Sequence, residues 1–576
     1  MKIFFQAKVL IKYAVLFVLL FSGIRQVNAS YVTTVDQGGG LLQADTNSPK
    51  IIHIVNFIRL LEPRDPAITE DVLYQTVVKQ VELMNQYQLP GTFLLQYDAL
   101  LDSRYQNFLR ALPKDRFEIG GWLEVPQPLA EKAGLKWRGN ARWDSRADVD
   151  FTTGYTPKER EKLIDTYMRD FKRVFGDYPK TVGCWYLDAY SINYMYRKYG
   201  IIASCNCKDQ IGTDGYTLWG GYWNQAYYPS LQNAYMPAQT QKGQIPVPIF
   251  RMLGSDPIRQ YDDGIGTAHQ GVITLEPVYK FGGGDTTWVD WFFKTLIQGE
   301  AMAFGYAQAG QENSFTWKAM KDGLQYQFRK IAALRQTGSF QVETMVKTAR
   351  WFKKQFNVTP VTSVTALTDL PEEGQKTVWL DSRFYRINLL WDSARLRIRD
   401  IHLFDETMTS PYYSRNATGS KCTLFTLPFI DGHFWSTKAR SAGLVFLVKR
   451  NGIFEPMEGE QPLVTKKSKT ALQISWPLKG NNGTLEIRLS ERCVEAKLVD
   501  GPAAAQWKMK LIAAKKDELP FTAITPGWIK SRFLGHDYKV KAIQGHFVAG
   551  IDRNTAPADF EIVPEKGAIR LDLGDR

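Results

Sequence analysis

The sequence predicts an α/β protein, with a (β/α)7-type barrel over residues 50–356 followed by one or two β-sandwich domains over 375–576. Two observations carry this reading. From residue 50 to about 330, short apolar runs of strand character alternate with longer helical stretches, the pattern of parallel strands joined by crossover helices. From about 375 onward the helical stretches stop, and short β-type runs are separated by Gly, Asn, Asp and Pro. A length of 576 residues also exceeds what one ordinary core serves, so more than one domain is expected.

The elements follow in order. Ile51–Ile58 is the first strand, and a helix from Thr69 to about Gln88 opens on acidic Glu70 and Asp71, which suit the positive end of its dipole. Gly91–Gln96 is the second strand and Phe117–Trp122 the third. A long insertion, 126–155, carries Trp137, Arg138, Arg142 and Trp143. The next helix starts with Thr156 as cap and Pro157 at the first helical position, where a missing N–H costs nothing. Thr181–Tyr186 is the fourth strand and, after a helix through Arg197, Ile201–Ser204 the fifth. Val272–Glu276 is the sixth and Ala301–Tyr306 the seventh, with helices ending near Phe356. Seven such units imply a closed or nearly closed barrel. The later half has β-type runs at Thr377–Leu380, Phe384–Leu390, Gly443–Val448 and Thr484–Leu489, with a hairpin-turn signal at Asn481-Asn482-Gly483. No internal repeat is evident.

The first 29 residues read as an export segment: Lys2, Lys8 and Lys12, an apolar run Tyr13–Phe21, then Val27-Asn28-Ala29 for cleavage. The run is too short for a membrane span, and no Cys follows the cleavage position to take a lipid anchor. The expected mature protein is therefore periplasmic or extracellular, with residues 30–49 as a Gly-rich leader. Net charge is +13, of which the export segment supplies four, and the rest is spread along the chain except for Lys466-Lys467-Ser468-Lys469. Nothing resembles a nucleic-acid module, and no feature specifies an oligomeric state. Five cysteines leave at least one free; Cys422 and Cys493 could pair. Cys205-Asn206-Cys207 lacks zinc-site spacing. Gly282-Gly283-Gly284-Asp285 lacks the Lys-Ser/Thr of a phosphate loop, and no G-x-S-x-G elbow is present. No cofactor or metal is called for.

Catalytic groups of β/α barrels sit at the C-terminal strand ends. That rule selects Glu124 after the third strand, Asp188 after the fourth, Asp256 in Gly254–Pro257, Glu276 ending the sixth, and Gln311 and Glu312 after the seventh. Glu124 lies among Trp122, Leu123 and Val125, an apolar setting that raises a carboxyl pKa and suits a general acid; a surface loop glutamate is the alternative. Asp188 follows Trp185 and Tyr186 but equally suits a helix cap. Glu276 closes a buried strand, where a charge is costly unless paired or functional. The favoured catalytic pair is Glu276 with Asp188 or Glu124, with Glu312 a further candidate. The run Tyr216–Tyr228 packs two Trp and four Tyr with Asn and Gln, as a sugar-stacking loop would, so Trp219 and Trp223 join Trp122, Trp185, His53, Asn56 and Asp256 as expected substrate contacts. A small aromatic core of the insertion's own is the alternative.

The order of motifs resembles the polysaccharide deacetylase and glycoside hydrolase family 57/38-like group. The likeness rests on Glu118-Ile119-Gly120 on the third strand and on the unit from Pro179 to Gly200, and it covers about 50–330. It implies a seven-stranded β/α barrel acting on carbohydrate, usually holding a divalent metal with one carboxylate and two imidazoles. Here Trp122 and Glu124 stand where a deacetylase places its His pair, and His53 and Asn56 where it has paired Asp. In family 57 a Glu after strand four is the nucleophile and an Asp after strand seven the acid; this chain offers Asp188 and Glu312, with the types exchanged. The expected function is an exported, metal-independent glycoside hydrolase acting on a glycan. The alternatives are a metal-dependent deacetylase-like enzyme using His53 with carboxylates, or a non-catalytic glycan-binding protein.

Overall fold

The computed structural model describes residues 48–575, apart from 215, 481, 503–504 and 551–558; the expected export segment and nearly all of the leader lie outside the described residues. The N-terminal part is built on a curled parallel sheet. Its strands are β1 (Lys50–Ile58), β2 (Gly91–Leu95), β3 (Phe117–Trp122), β4 (Val182–Gly183), β5 (Ser204–Asn206), β6 (Ile249–Arg251) and β7 (Gly305–Ala309). The hydrogen-bonded order is β7-β1-β2-β3-β4, with Gln341–Glu343 also pairing β1 in parallel. β5 continues the curl through a single parallel bridge, Thr181 to Ala203, and pairs in parallel with β6.

The fold is mixed α/β with a parallel curled sheet, and the expected closed or nearly closed seven-stranded barrel is not seen in full, departing from expectation in two places. The sixth expected strand, Val272–Glu276, forms only one antiparallel bridge, Ser255 to Thr274. Among the described residues no ladder joins β6 to β7, so the curl stays open there. The cause is local: Gly282–Gly284 folds back onto 274–276, with Gly283 N–H donating to the Thr274 carbonyl at 2.7 Å. A Cβ at Gly283 would collide with the Leu275 carbonyl, so only glycine permits this approach.

The helices that cover the sheet are capped as the sequence indicates. Helix α1 (Glu70–Gln86) starts at Thr69, whose side chain accepts from Val72 N–H. Helix α2 (Pro157–Phe175) opens on a capping box between Thr156 and Glu159 and ends on Gly176 in the left-handed region, φ 88°. Helix α3 (Ala189–Tyr199) is capped by Asp188.

Beyond Thr362, two large antiparallel sheets of ten and eight strands follow. Alternation in the second sheet buries Leu472, Ile474 and Trp476 on one strand and Leu485, Ile487 and Leu489 on the next. These strands pair with Pro477 opposite Thr484, flanking the expected hairpin turn. The two regions are sewn together: Cys422–Phe425 pairs in parallel with Tyr216–Trp219, and one apolar core runs continuously from Ile52 to Leu573. All five cysteines are free, and the possible Cys422–Cys493 pair is not formed. Among the described residues no helix is long and apolar enough to cross a membrane.

Candidate active site

A cleft of about 120 Å³ opens where the C-terminal strand ends converge. That is close to the ~150 Å³ of a cavity that admits one six-membered ring. Arg59 follows β1, Trp185 follows β4, Lys208 follows β5, Leu253 follows β6 and Glu312 follows β7. Glu276 comes from the bridged segment, and Trp143 and Asp150 from the 126–155 insertion. Tyr216, Tyr279 and Phe315 add aromatic wall.

Glu276 is 5% exposed. Thr274 Oγ1 donates to its Oε2 at 2.9 Å, and Gln311 Nε2 donates to its Oε1 at 3.2 Å. Burial pushes its carboxyl up to about 7, with these donors and the Lys208 charge opposing. It is poised to hold or release a proton near neutrality.

Elsewhere in the lining, Arg59 pairs with two acids, and a third lies close by. Its Nε and one terminal nitrogen donate to Glu124 at 3.0 and 2.6 Å, and its other terminal nitrogen meets Glu312 at 2.9 Å. Gln96 adds a 2.6 Å bond to Glu124. The guanidinium lies 4.3 Å over Trp143, whose indole N–H donates to Asp150 Oδ1 at 2.9 Å. Burial, then the Glu124 charge, holds Asp150 well above the usual carboxylate range; burial also raises Glu312, against the pull of Arg59. Glu312 is placed by Gly310, at φ 102°, where a Cβ would strike the Val55 carbonyl.

Of the residues expected from sequence, Glu276, Glu312 and Trp185 line the cleft. Glu124 lies just behind it as the partner of Arg59, not as a surface group. Asp188 is held by Arg160 (2.9 Å), Thr152 (2.6 Å) and the Ser191 N–H (2.9 Å), every contact that of a helix cap in a buried ion pair. Asp256 accepts from the Ile258 and Arg259 amides, the Arg259 side chain and the Trp288 indole, so it closes a turn. Trp219 and Trp223, 1% and 3% exposed, do not stack on ligand; they form a core cluster with Ile211, Tyr261 and Trp379. Trp223 lies parallel to Trp379 at 3.9 Å. The two tryptophans are thus core because the later sheet closes over them, while the run's tyrosines join the main core and Tyr216 also lines the cleft. Trp122 packs on Phe57 and Trp185 beneath the cleft. Asn56 accepts from Gln80 and from Gln311 N–H, positioning the residue that bonds Glu276.

Sequence reasoning missed Arg59, Lys208 and Asp150. The strand-end rule would have found Lys208 with correct strand limits, since β5 ends at Asn206, not Ser204, and Arg59 directly follows the strand end read at Ile58 but was passed over because the rule was applied to carboxylates. Asp150 lay in an insertion already marked by its Trp and Arg content.

The metal of deacetylase-like barrels was tested against the residues present. Glu124 is taken by Arg59 and Gln96. His53 is fully buried against Phe250 and Tyr306, bonded through Nε2 to Thr348 at 2.8 Å, and burial lowers it to about 3. Among the described residues no three His, Cys, Asp or Glu are grouped to hold a metal. The donor set does not fit.

No known family model matches this chain, and no curated protein is similar to it. Solved structures do resemble it. A Parabacteroides distasonis protein, provisionally named a glycoside hydrolase/deacetylase, is 14% identical, with 68% of this chain and 94% of that one covered and a TM-score of 0.52. A Mycobacterium smegmatis protein, provisionally named a polysaccharide deacetylase, is 11% identical over 54% of this chain and 92% of its own, TM-score 0.33. The 4-alpha-glucanotransferase of Thermococcus litoralis is 9% identical over 91% and 100%, TM-score 0.32. At such identities the first likeness is one of fold.

Proposed function

We propose that this protein is a carbohydrate-active hydrolase and, in the finer reading, a glycoside hydrolase working with carboxyl groups. The observation that carries this is Glu276: a buried carboxyl in an aromatic-walled cleft, pushed up to about 7 and so protonated in about half of the molecules at neutral pH. Glycoside cleavage needs one carboxyl that donates a proton to the leaving oxygen and a second that attacks the anomeric carbon or directs water to it. Glu276 fills the first role. Glu312, facing Arg59, fills the second, replacing Asp188 and Glu124 in the expected pair because it lines the cleft and they do not. In the cleavage step the Glu276 proton passes to the glycosidic oxygen, the C–O bond breaks, and its electron pair leaves with the departing sugar.

The lining residues all fall between Arg59 and Phe315, which supports a catalytic region within the expected 50–356 domain. The export segment read from the sequence puts the enzyme outside the cytoplasm. A second reading, removal of acetyl groups from a glycan, is favoured by the fold likeness to a protein provisionally named for both activities. Incubation with a broad glycan panel separates the two: released reducing sugar, lost in Glu276→Gln, is the expected result. Acetate without reducing sugar would establish the second reading, and binding with neither product would make this a glycan-binding protein.

A further inference from the structure

Among the described residues, Lys208 is the one cleft-lining cation without a carboxylate in ion-pair contact. Arg59 faces Glu124 and Glu312, and Arg64 faces Glu62. Lys208 is 1% exposed, and its ammonium makes one hydrogen bond, to the Asp209 backbone carbonyl at 3.2 Å. The neighbouring Asp209 carboxylate cannot serve it: that group is taken by Arg251, Arg386, Tyr235 and the Gly220 N–H. Nor does Glu276, whose oxygens accept from Thr274 and Gln311. An ammonium has three donors, and the hydrogen bond to the Asp209 carbonyl uses one of them.

A buried charge left unpaired costs several kcal/mol. Apolar residues of similar size would line such a wall without that cost, and Leu253, Val272 and Phe315 do so beside it. Here burial lowers the Lys208 ammonium toward its neutral form, and a carboxylate arriving in the cleft that Lys208 lines would favour the charged form again.

We propose that Lys208 anchors a carboxylate on the sugar in the cleft, so that the substrate class is an acidic glycan built from uronic acids or similarly carboxylated sugars. The inference rests on the carbohydrate reading above and names its substrate class. The pairing is chemically consistent with the rest of the site. Glu276 enters the complex as the neutral acid, and Glu312 and Asp214 are the other carboxyls whose repulsion the ligand must avoid, so its carboxylate is directed to the Lys208 side. The aromatic faces of Trp185, Tyr216 and Tyr279 remain for the sugar ring.

The test uses paired polysaccharides, each in native carboxylated form and after reduction of its carboxyls to alcohols: pectate, alginate, glucuronan and heparosan. Binding is read by calorimetry and cleavage by reducing ends. At least one carboxylated member is expected to bind the whole protein tenfold or more tightly than its reduced partner, with the difference collapsing on added salt. Lys208→Met is expected to bring the two affinities of that pair together, and Lys208→Arg to restore most of the gap. Wild-type protein alone decides the matter if Lys208→Met fails to fold. Equal or tighter binding of the reduced forms, or no binding to any carboxylated member, overturns the inference. Neutral glycans that are cleaved while carboxylated ones are ignored would overturn it and leave the proposed function standing. If no glycan of either kind is bound or cleaved, both fall.

Discussion

Replacing Glu276 with Gln exchanges an acid for its permanently neutral isostere. The amide keeps the contacts, because the Thr274 hydroxyl can accept as well as donate and Gln311 can turn its side-chain amide. What changes is the cost of charge. In the unfolded chain the carboxyl ionises at its ordinary 4.5, and in the folded protein at about 7. Below 4.5 both states hold the proton and the group is neutral to stability. As pH rises to 7 the unfolded chain releases its proton first, so wild-type stability falls, and above 7 the loss is constant. At 1.36 kcal/mol per pKa unit it amounts to about 3 kcal/mol. Glu276→Gln escapes this loss, so it matches wild type at pH 4.5 and exceeds it at pH 8. With an unfolding entropy of about 2.1 cal/mol/K per residue over roughly 500 ordered residues, the gain is about 3 °C in Tm. Differential scanning calorimetry at the two pH values measures it, and hydrolysis on the same samples falls by about 10²–10⁴-fold. Wild-type kcat/KM falls tenfold per unit above pH 7 as the donor proton is lost. A variant with the same Tm offset at both pH values, or with wild-type hydrolysis, would refute the assignment.

Arg59→Met strands two buried acids, Glu124 and Glu312, and is expected to cost about 3–5 kcal/mol in urea unfolding, part of which a second change, Glu124→Gln, returns. Asp188→Asn breaks the buried pair with Arg160 that holds the 412–415 backbone; a loss of about 3 kcal/mol is expected, with the folded protein retaining its turnover, measured as activity per folded molecule. Glu312→Gln is expected to lower kcat by at least about 100-fold, and Asp150→Asn by far less, because the first removes an anion and the second replaces a neutral acid; the opposite order would make Asp150 the companion of Glu276.

The sequence made the parallel strands legible because each is a run of buried apolar residues between caps, and β1 to β3 fall where those runs lie. It misplaced what tertiary contact decides. Val272–Glu276 has strand composition, yet the glycine loop and Gln327, which bonds the Leu275 and Gly283 carbonyls, occupy the edge a strand partner would use. Trp219 and Trp223 carry the composition of a sugar platform; only the arrival of Trp379 and Asp431, more than 150 residues on, turns them into core. Asp188 shows the same limit, since a cap and a catalytic acid at a strand end look alike until Arg160 is seen beside it. Glu276 was legible because a carboxyl closing an apolar segment must be paired or put to use, and it is not in an ion pair here.

Two parts of the site handle charge differently, and that difference orders it. In one, a single guanidinium meets Glu124 with two nitrogens and Glu312 with one, while Asp150 receives only an indole N–H. Three acids cannot all be charged against one cation in a dry setting, since each added anion raises the next. Glu312 touches Arg59 directly and Asp150 does not, so the negative charge belongs to Glu312 and the proton to Asp150, which burial and the Glu124 charge hold well above the usual range. In the other, Glu276 has neutral donors alone, and its proton is set by burial. The cleft therefore holds one carboxyl in contact with Arg59 and another, Glu276, raised by burial, an unequal pair of the kind that the proposed general acid catalysis would use.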